Sequence, residues 1–229
     1  MTQWLVFISA LILLNACSTS SNQGEEAFAP VTLTEVNLDD IKPTEVKAAY
    51  QSDIKTIQPL QLSGVWKSEK PEPAGNGRYA VRELTFTGSR WDLTYTLASD
   101  KKMQNILFTH KASGALTVQS PSKRIPGAYL IVYGFNHKTL NIMTGDKVTL
   151  KELGFEGCSI SLHQEVDITS KGCGIITRLG ECPNDYDLLR QETRKDGEFL
   201  SLGNKFAEFS ACSEDKRPVA LGVSLIRVK

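Results

Sequence analysis

Strict alternation of apolar and polar side chains limits the fold of this chain more than any other feature of its sequence. In residues 90–98 (RWDLTYTLA), the side chains of Trp91, Leu93 and Tyr95 share one face of an extended strand. Residues 159–169 repeat the pattern. Because strands of this period bury one face each, we expect antiparallel sheets and not a parallel sheet covered by helices.

Glycine-containing turns separate these segments. Thr87-Gly88-Ser89 and Lys195-Asp196-Gly197 each predict a tight hairpin. Only Asp146 to Leu153, closed by Gly154, predicts a short helix. The further strand candidates begin with the segment that opens at Leu62 and continue with residues 79–87, 105–111, 115–119, 128–135, 138–143, 174–179, 186–193, 198–202 and 219–228. About ten short strands with little helix predict an all-β barrel or sandwich.

Two details favour a barrel. The run Leu62-Ser63-Gly64-Val65-Trp66 resembles the lipocalin signature, which implies that Trp66 closes one end of the barrel under a basic side chain from a late strand. Arg227 is our candidate for that side chain, because it lies in register with Val219, Leu221, Val223 and Leu225. Residues 128–135 (AYLIVYGF) are apolar on both faces, as expected of a strand between a cavity and a cover.

The N-terminal segment predicts export. Residues 1–16 are apolar from Trp4 to Leu14 and too short to span a membrane, and they suit a secretory signal. Leu14-Asn15-Ala16-Cys17 resembles a bacterial lipobox, in which Cys17 becomes the lipidated first residue. We therefore expect a lipoprotein signal peptide over 1–16, a lipidated cysteine with a tether over 17–59, and a barrel domain over 60–229.

The chain has five cysteines, so assigning Cys17 to a lipid leaves an even number. Four cysteines in an oxidising compartment predict two disulfides, and their spacings fit no zinc motif. Three pairings are open, of which we prefer Cys158 with Cys173 and Cys182 with Cys212 because each closes a local segment.

The charges are balanced, with 26 basic against 26 acidic residues. This balance gives no long-range attraction to nucleic acid. The polar stretch after Cys17 predicts a flexible tether, with a candidate helix over residues 44–57 that could pack on the domain or belong to the stalk.

Four segments of the last third follow one another as in the ectodomain family of the adenomatosis polyposis coli down-regulated protein. They are VDITSKGCGI (166–175), ECPNDYDLLR (181–190), DGEFLSLGN (196–204) and CSEDKRPVAL (212–221). The start at Leu62 and the segments 82–100 and 127–136 are also similar. The resemblance implies a lipocalin-like barrel, closed or incompletely closed, that binds a lipid or acyl chain. Animal members carry two such domains and a transmembrane anchor, so their signalling role is not expected here.

The sequence offers no catalytic motif. It lacks a GxSxG elbow, an HExxH pair and a phosphate-binding glycine loop. His110 is expected in the barrel wall and His137 and His163 in solvent, whereas Asp185 and Asp187 flank Tyr186 without forming a constellation. We therefore expect no enzymatic activity, no cofactor and no metal, with an enzyme of lipid or cell-wall metabolism as a third hypothesis.

The leading hypothesis is a lipoprotein whose barrel binds a lipid or another small hydrophobic molecule. The alternative is a structural or adaptor lipoprotein that binds another envelope protein and has no ligand cavity. Ser18 after the lipidated cysteine favours the outer membrane, facing the periplasm. The residues expected to line the pocket are Trp91, Leu93, Tyr95, Phe108 and Leu130.

Overall fold

A computed structural model describes residues 60–205 and 210–228 of the chain. The expected signal segment, the expected lipid anchor Cys17, the tether up to residue 59 and the candidate helix over 44–57 lie outside the described residues. The described part therefore corresponds to the expected barrel domain.

The described residues form ten strands, one helix and one 3-10 turn. The strands are β1 (Gly64–Ser68), β2 (Glu72–Pro73), β3 (Tyr79–Thr87), β4 (Arg90–Ala98), β5 (Ile106–Pro121), β6 (Tyr129–Ile142), β7 (Glu165–Asp167), β8 (Asn184–Arg194), β9 (Gly197–Gly203) and β10 (Leu221–Arg227). The helix α1 spans Lys147–Glu152 and the 3-10 turn Glu214–Lys216.

Eight of these strands close into an antiparallel barrel. The order β1-β10-β9-β8-β6-β5-β4-β3 returns to β1, because β1 pairs with β10 on one side and with β3 on the other. Trp66 accordingly lies opposite Arg227 in one ladder and opposite Leu84 in the other. The predicted all-β, lipocalin-like barrel is confirmed, and it is closed.

Alternation located β3 and β4 at the predicted residues. Their ladder runs without interruption from Tyr79 opposite Ala98 to Thr87 opposite Arg90, across the predicted Gly88 hairpin. Both strands pair on their two sides, so one face of each is directed into the barrel interior, here called the lumen. The predicted β8–β9 hairpin is also present, with Arg194 opposite Gly197.

The two predicted strand breaks, at residues 112–114 and 136–137, meet in one β-bulge. The predicted strands 105–111 and 115–119 belong to the single strand β5, and those over 128–135 and 138–143 belong to the single strand β6. The register shifts where Ser113 faces His137 and Gly114 faces Phe135. A Cβ at Gly114 would overlap the carbonyl oxygen of Gly134. The glycine therefore permits a close approach of two backbones in a bulge and does not mark a turn.

The strands predicted over 159–169 and 174–179 are wrong. Only Glu165–Asp167 is a strand, while His163 takes a left-handed φ of 60° and Leu162 is exposed. Gly174 and Ile175 lie in a turn closed by a bridge between Cys173 and Ile176, and no strand follows it up to residue 179. The apolar residues of both segments pack without belonging to one sheet face, so a period of two arose without a ladder.

Residues 143–183 form a cap between β6 and β8. It contains α1, which begins as predicted after Asp146, whose carboxylate accepts a hydrogen bond of 2.8 Å from the Thr149 backbone N–H. The cap covers the barrel end where β4 finishes and β5 begins, since the Phe155 and Phe108 rings lie 5.3 Å apart.

Both preferred disulfides are present. Cys158–Cys173 closes the cap upon itself, and Cys182–Cys212 ties the start of β8 to the segment that precedes β10. The predicted local pairing is thereby confirmed.

The strand predicted over 219–228 begins later than expected. β10 starts at Leu221, and its pairing with β9 shifts register between Leu221 and Ser224. As a result Val219 and Val223 are exposed, unlike the buried Leu225 with which they were expected to be in register.

Candidate functional site

The lumen is closed at the end where β1 begins and β10 finishes, here called the Trp66 end. Trp66 is fully buried, and its indole N–H donates to the Leu62 carbonyl at 2.7 Å. The Arg227 guanidinium lies 5.3 Å from the centre of the Trp66 ring and donates hydrogen bonds to the Ser63 carbonyl and to Glu198. Gly64, at φ 120°, leaves room for the arginine. This is the contact implied by the lipocalin resemblance.

Four of the five residues expected to line a pocket face the lumen. Trp91 and Phe108 are buried in two separate hydrophobic clusters, which describes core packing. Leu93 and Tyr95 are half-buried, and each packs against one of these clusters. Leu130 alternates with the lumen-facing Ile131 and so lies on the outer face of β6, which removes it from a pocket inside the barrel.

The partial exposure of Leu93 and Tyr95 is informative because of where they lie. β4 is paired along its whole length with β3 and β5, so a lumen-facing side chain on it reaches solvent only through the barrel interior. The residues that flank them on the same face, Trp91 and Leu97, are 2% and 4% exposed. The lumen is thus filled at its two ends and open to solvent beside the middle of β4.

A polar belt crosses the lumen at this level. It comprises Glu72, Arg82, Tyr133, Asp185, Asp187 and Lys205.

The belt's acidic pair comes from the inner face of β8. Lys205 Nζ lies 2.5 Å from the Asp185 carboxylate and 2.9 Å from that of Asp187. Backbone N–H groups of Ala211 and Gly203 donate to the same carboxylates at 2.7 and 2.9 Å. Burial lowers the pKa of Lys205, but the two carboxylates outweigh this effect and raise it overall, so the ammonium stays charged.

The second ion pair of the belt joins β2 to β3. Arg82 donates through Nε and Nη2 to the two carboxylate oxygens of Glu72, at 3.1 and 2.7 Å. Its Nη2 also donates to the Val223 carbonyl at 2.9 Å. Burial raises the pKa of the neighbouring Tyr95 to about 12, against the opposing effect of the Arg82 charge, so the phenol is neutral.

Tyr133 carries the belt's unsatisfied group. Its side chain is 4% exposed, and no partner for its hydroxyl lies among the residues that the structure describes. Its neighbour across the β6–β8 ladder is Asp185, and its ring packs edge-on against Trp91 at 4.9 Å. Burial, then Asp187 and Asp185, raise the pKa of Tyr133 well above its ordinary value. The neutral hydroxyl therefore remains a donor in need of a partner.

Two further polar side chains lie near the cap. Lys138 is 1% exposed, stacks 3.8 Å from the centre of the Phe135 ring and donates to the Thr177 carbonyl at 2.9 Å. Burial lowers its pKa to about 8, although Asp185 acts in the opposite direction. His110 lies in the barrel wall as predicted, 2% exposed, with Nδ1 at 2.8 Å from the Thr139 carbonyl oxygen.

The loop over residues 71–77 lies at the barrel end opposite Trp66, the end that the cap covers. It contains β2, which pairs with the first residues of β3. Next to it, Arg78 forms an ion pair with Glu152 of α1 and so links the loop to the cap.

The candidate-site residues that the sequence did not bring together are those of the belt. The sequence predicted no constellation for Asp185 and Asp187, but the fold brings them together with Lys205. An i, i+2 pair of acids on an otherwise apolar strand is a signal that could have identified them, since such residues share the buried face.

Within residues 60–205 and 210–228, no helix is long and apolar enough to cross a membrane. In the same residues, no group of three His, Cys, Asp or Glu side chains is arranged to hold a metal ion. Comparison of the chain with protein-family models and with curated proteins gives no match. The family resemblance drawn from the sequence motifs therefore stays an expectation.

Proposed function

We propose that this chain is a lipid-anchored envelope protein whose barrel binds a small hydrophobic molecule inside the lumen, beside the middle of β4. The observation that carries the proposal is the half-burial of Leu93 and Tyr95 inside a closed barrel, between neighbours that are fully buried. Apolar walls with a few polar groups are typical of ligand sites in barrels of this size.

The site is short. The hydrophobic cluster around Trp66 and Leu225 fills the lumen at the Trp66 end, and the cluster around Phe108 and Phe155 fills it beneath the cap. A ligand therefore lies between the two clusters. Export to an oxidising compartment is supported by the two disulfides. The lipid anchor at Cys17 and a location in the outer membrane facing the periplasm rest on the sequence, as does the absence of enzymatic activity.

Native mass spectrometry tests the proposal on the chain with Cys17→Ser, produced in an oxidising compartment. We expect a mass excess of a few hundred daltons that disappears under denaturing conditions. A bare mass that added acyl compounds leave unchanged would refute ligand binding.

A matched pair of variants tests where in the barrel the ligand binds. Leu93→Gln and Asp92→Gln place the same side chain on opposite faces of β4, one in the lumen and one exposed in solvent. We expect Leu93→Gln to weaken ligand binding by about tenfold, since it makes an apolar wall polar. Asp92→Gln should bind as the unmodified chain does, and equal losses in both variants would move the site elsewhere.

The alternative of an adaptor keeps one supporting observation. Val148 on α1 and Val219 before β10 are 66% and 64% exposed, and such side chains could contact another envelope protein. The eight barrel strands are paired on both sides, so a partner would use outer faces and not a sheet edge. A bare mass in the experiment above, together with a protein partner, would favour this role.

A further inference from the structure

The charges of the polar belt bear on the chemistry of the ligand. Resting on the proposed function, we propose that the barrel selects a neutral amphipathic molecule, an alcohol, ester or amide with an apolar chain, and that Tyr133 binds its polar group. A free carboxylate is excluded from the same position.

The first reason is that the cations of the described lumen already have partners. Arg82 is held by Glu72 through two hydrogen bonds, and Lys205 is held by Asp185 and Asp187. Lys138, beside the belt, donates to backbone carbonyls and stacks on Phe135. A carboxylate headgroup would therefore have to break one of these contacts or remain unpaired, and an unpaired buried charge is strongly unfavourable.

The second reason is the sign of the charge beside the free hydroxyl. Tyr133 lies directly opposite Asp185 in the β6–β8 ladder, and Asp187 lies opposite the neighbouring Ile131. An anion placed at the Tyr133 hydroxyl would approach two carboxylates. A neutral oxygen acceptor takes the hydrogen bond without this repulsion.

The third reason is the apolar surface that begins at the same point. The Trp91 ring contacts Tyr133 and also lies 5.5 Å from the Phe135 ring, edge-on in both cases. Leu93 is the next lumen-facing residue on β4. A molecule whose polar group reaches Tyr133 can therefore lay its chain along Leu93 toward Tyr95.

The test compares three probes of one chain length: dodecanoate, 1-dodecanol and 1-monododecanoylglycerol. Binding to the Cys17→Ser chain is measured by calorimetry near pH 8. We expect the two neutral probes to bind at least about tenfold more tightly than dodecanoate, because of the unpaired charge. Dodecanoate binding as tightly as the neutral probes would overturn the inference and leave the proposed function intact. Binding of none of the three would refute the proposed function as well.

Tyr133→Phe tests whether the Tyr133 hydroxyl binds the polar group of the ligand. Tyr129→Phe is the matched control, on the same face of β6 near the Trp66 end. We expect Tyr133→Phe to weaken the neutral probes by about fivefold and to leave dodecanoate unchanged, as expected for the loss of one buried hydrogen bond. Tyr129→Phe should alter none of them. Unchanged binding of the neutral probes to Tyr133→Phe would overturn the role of this hydroxyl, and thermal melting of each variant establishes that the barrel is folded.

Discussion

Replacing His110 with a residue that does not titrate should change how the free energy of unfolding depends on pH. The imidazole is buried, and burial lowers its pKa from the ordinary value of 6.5 to about 4, with the Lys138 charge acting in the same direction and the Thr139 carbonyl opposing both. Between these two values the unfolded chain binds a proton that the folded chain does not. The contribution of neutral His110 to stability is therefore complete above pH 6.5 and lost as the pH falls toward 4.

The size of the effect follows from the two pKa values. A pKa lowered from 6.5 to about 4 corresponds to a loss of about 2.5 kcal/mol of unfolding free energy between pH 7.5 and pH 4.5. Replacing His110 with Gln keeps an amide N–H for the Thr139 carbonyl but removes the titrating group. The variant should be less stable near neutrality, with a pH dependence shallower by this amount.

Urea denaturation at the two pH values measures the difference, with the two disulfides intact. Asp185 and the other carboxylates titrate in both proteins, so their contributions cancel when the variant is compared with the unmodified chain. His137→Gln, on the exposed surface of β6, controls for the general loss of a histidine. Parallel pH dependences for the His110→Gln variant and the unmodified chain would refute the burial argument.

Three further predictions concern the stability of the barrel, measured by denaturation under non-reducing conditions. Replacing Cys182 and Cys212 with Ser should cost about 4 kcal/mol, against about 3 kcal/mol for Cys158 and Cys173, because the first pair closes the longer loop; the reverse order would contradict the loop-entropy account. Gly114→Ala should cost about 3 kcal/mol through overlap with the Gly134 carbonyl, whereas Gly134→Ala, with nothing nearer than 3.5 Å, should cost much less; similar costs would disprove the close approach. Arg227→Ala should cost about 2 kcal/mol by removing the contacts to Trp66, Ser63 and Glu198; a value near zero would show that the arginine does not stabilise the Trp66 end.

The sequence predicted strands well where alternation and a tight turn occur together. The β3–β4 hairpin has its predicted bounds, because its alternation is unbroken and Gly88 marks the turn. The strand prediction was wrong where a glycine lies in a β-bulge and not in a turn. Residues 112–114 lay outside the strands predicted over 105–111 and 115–119, although Gly114 allows two neighbouring strands to approach each other within a continuous ladder. Only the identity of the partner strand distinguishes these two uses.

The strand predicted within the cap was wrong for a different reason. Residues 159–169 alternate, but Ile160 packs against the cluster beneath the cap while Leu162 is exposed, so they do not share the face of one sheet. The Cys158–Cys173 bridge closes this segment. This disulfide holds the segment in place without the strand pairing that the alternation predicted. A pattern of hydrophobicity contains no information about such a disulfide constraint.

The candidate site could be anticipated only in its apolar half. Leu93 was identified because strand period assigns a face, and the face was correct. Tyr133 and Asp185 are 52 positions apart in the chain, and their proximity depends on β8 pairing with β6 after the whole cap has intervened. A period-two pattern tells which residues face inward, whereas the strand order decides which of them meet. The polar belt, and with it the preference proposed for a neutral ligand, therefore follows from the closed topology of the barrel.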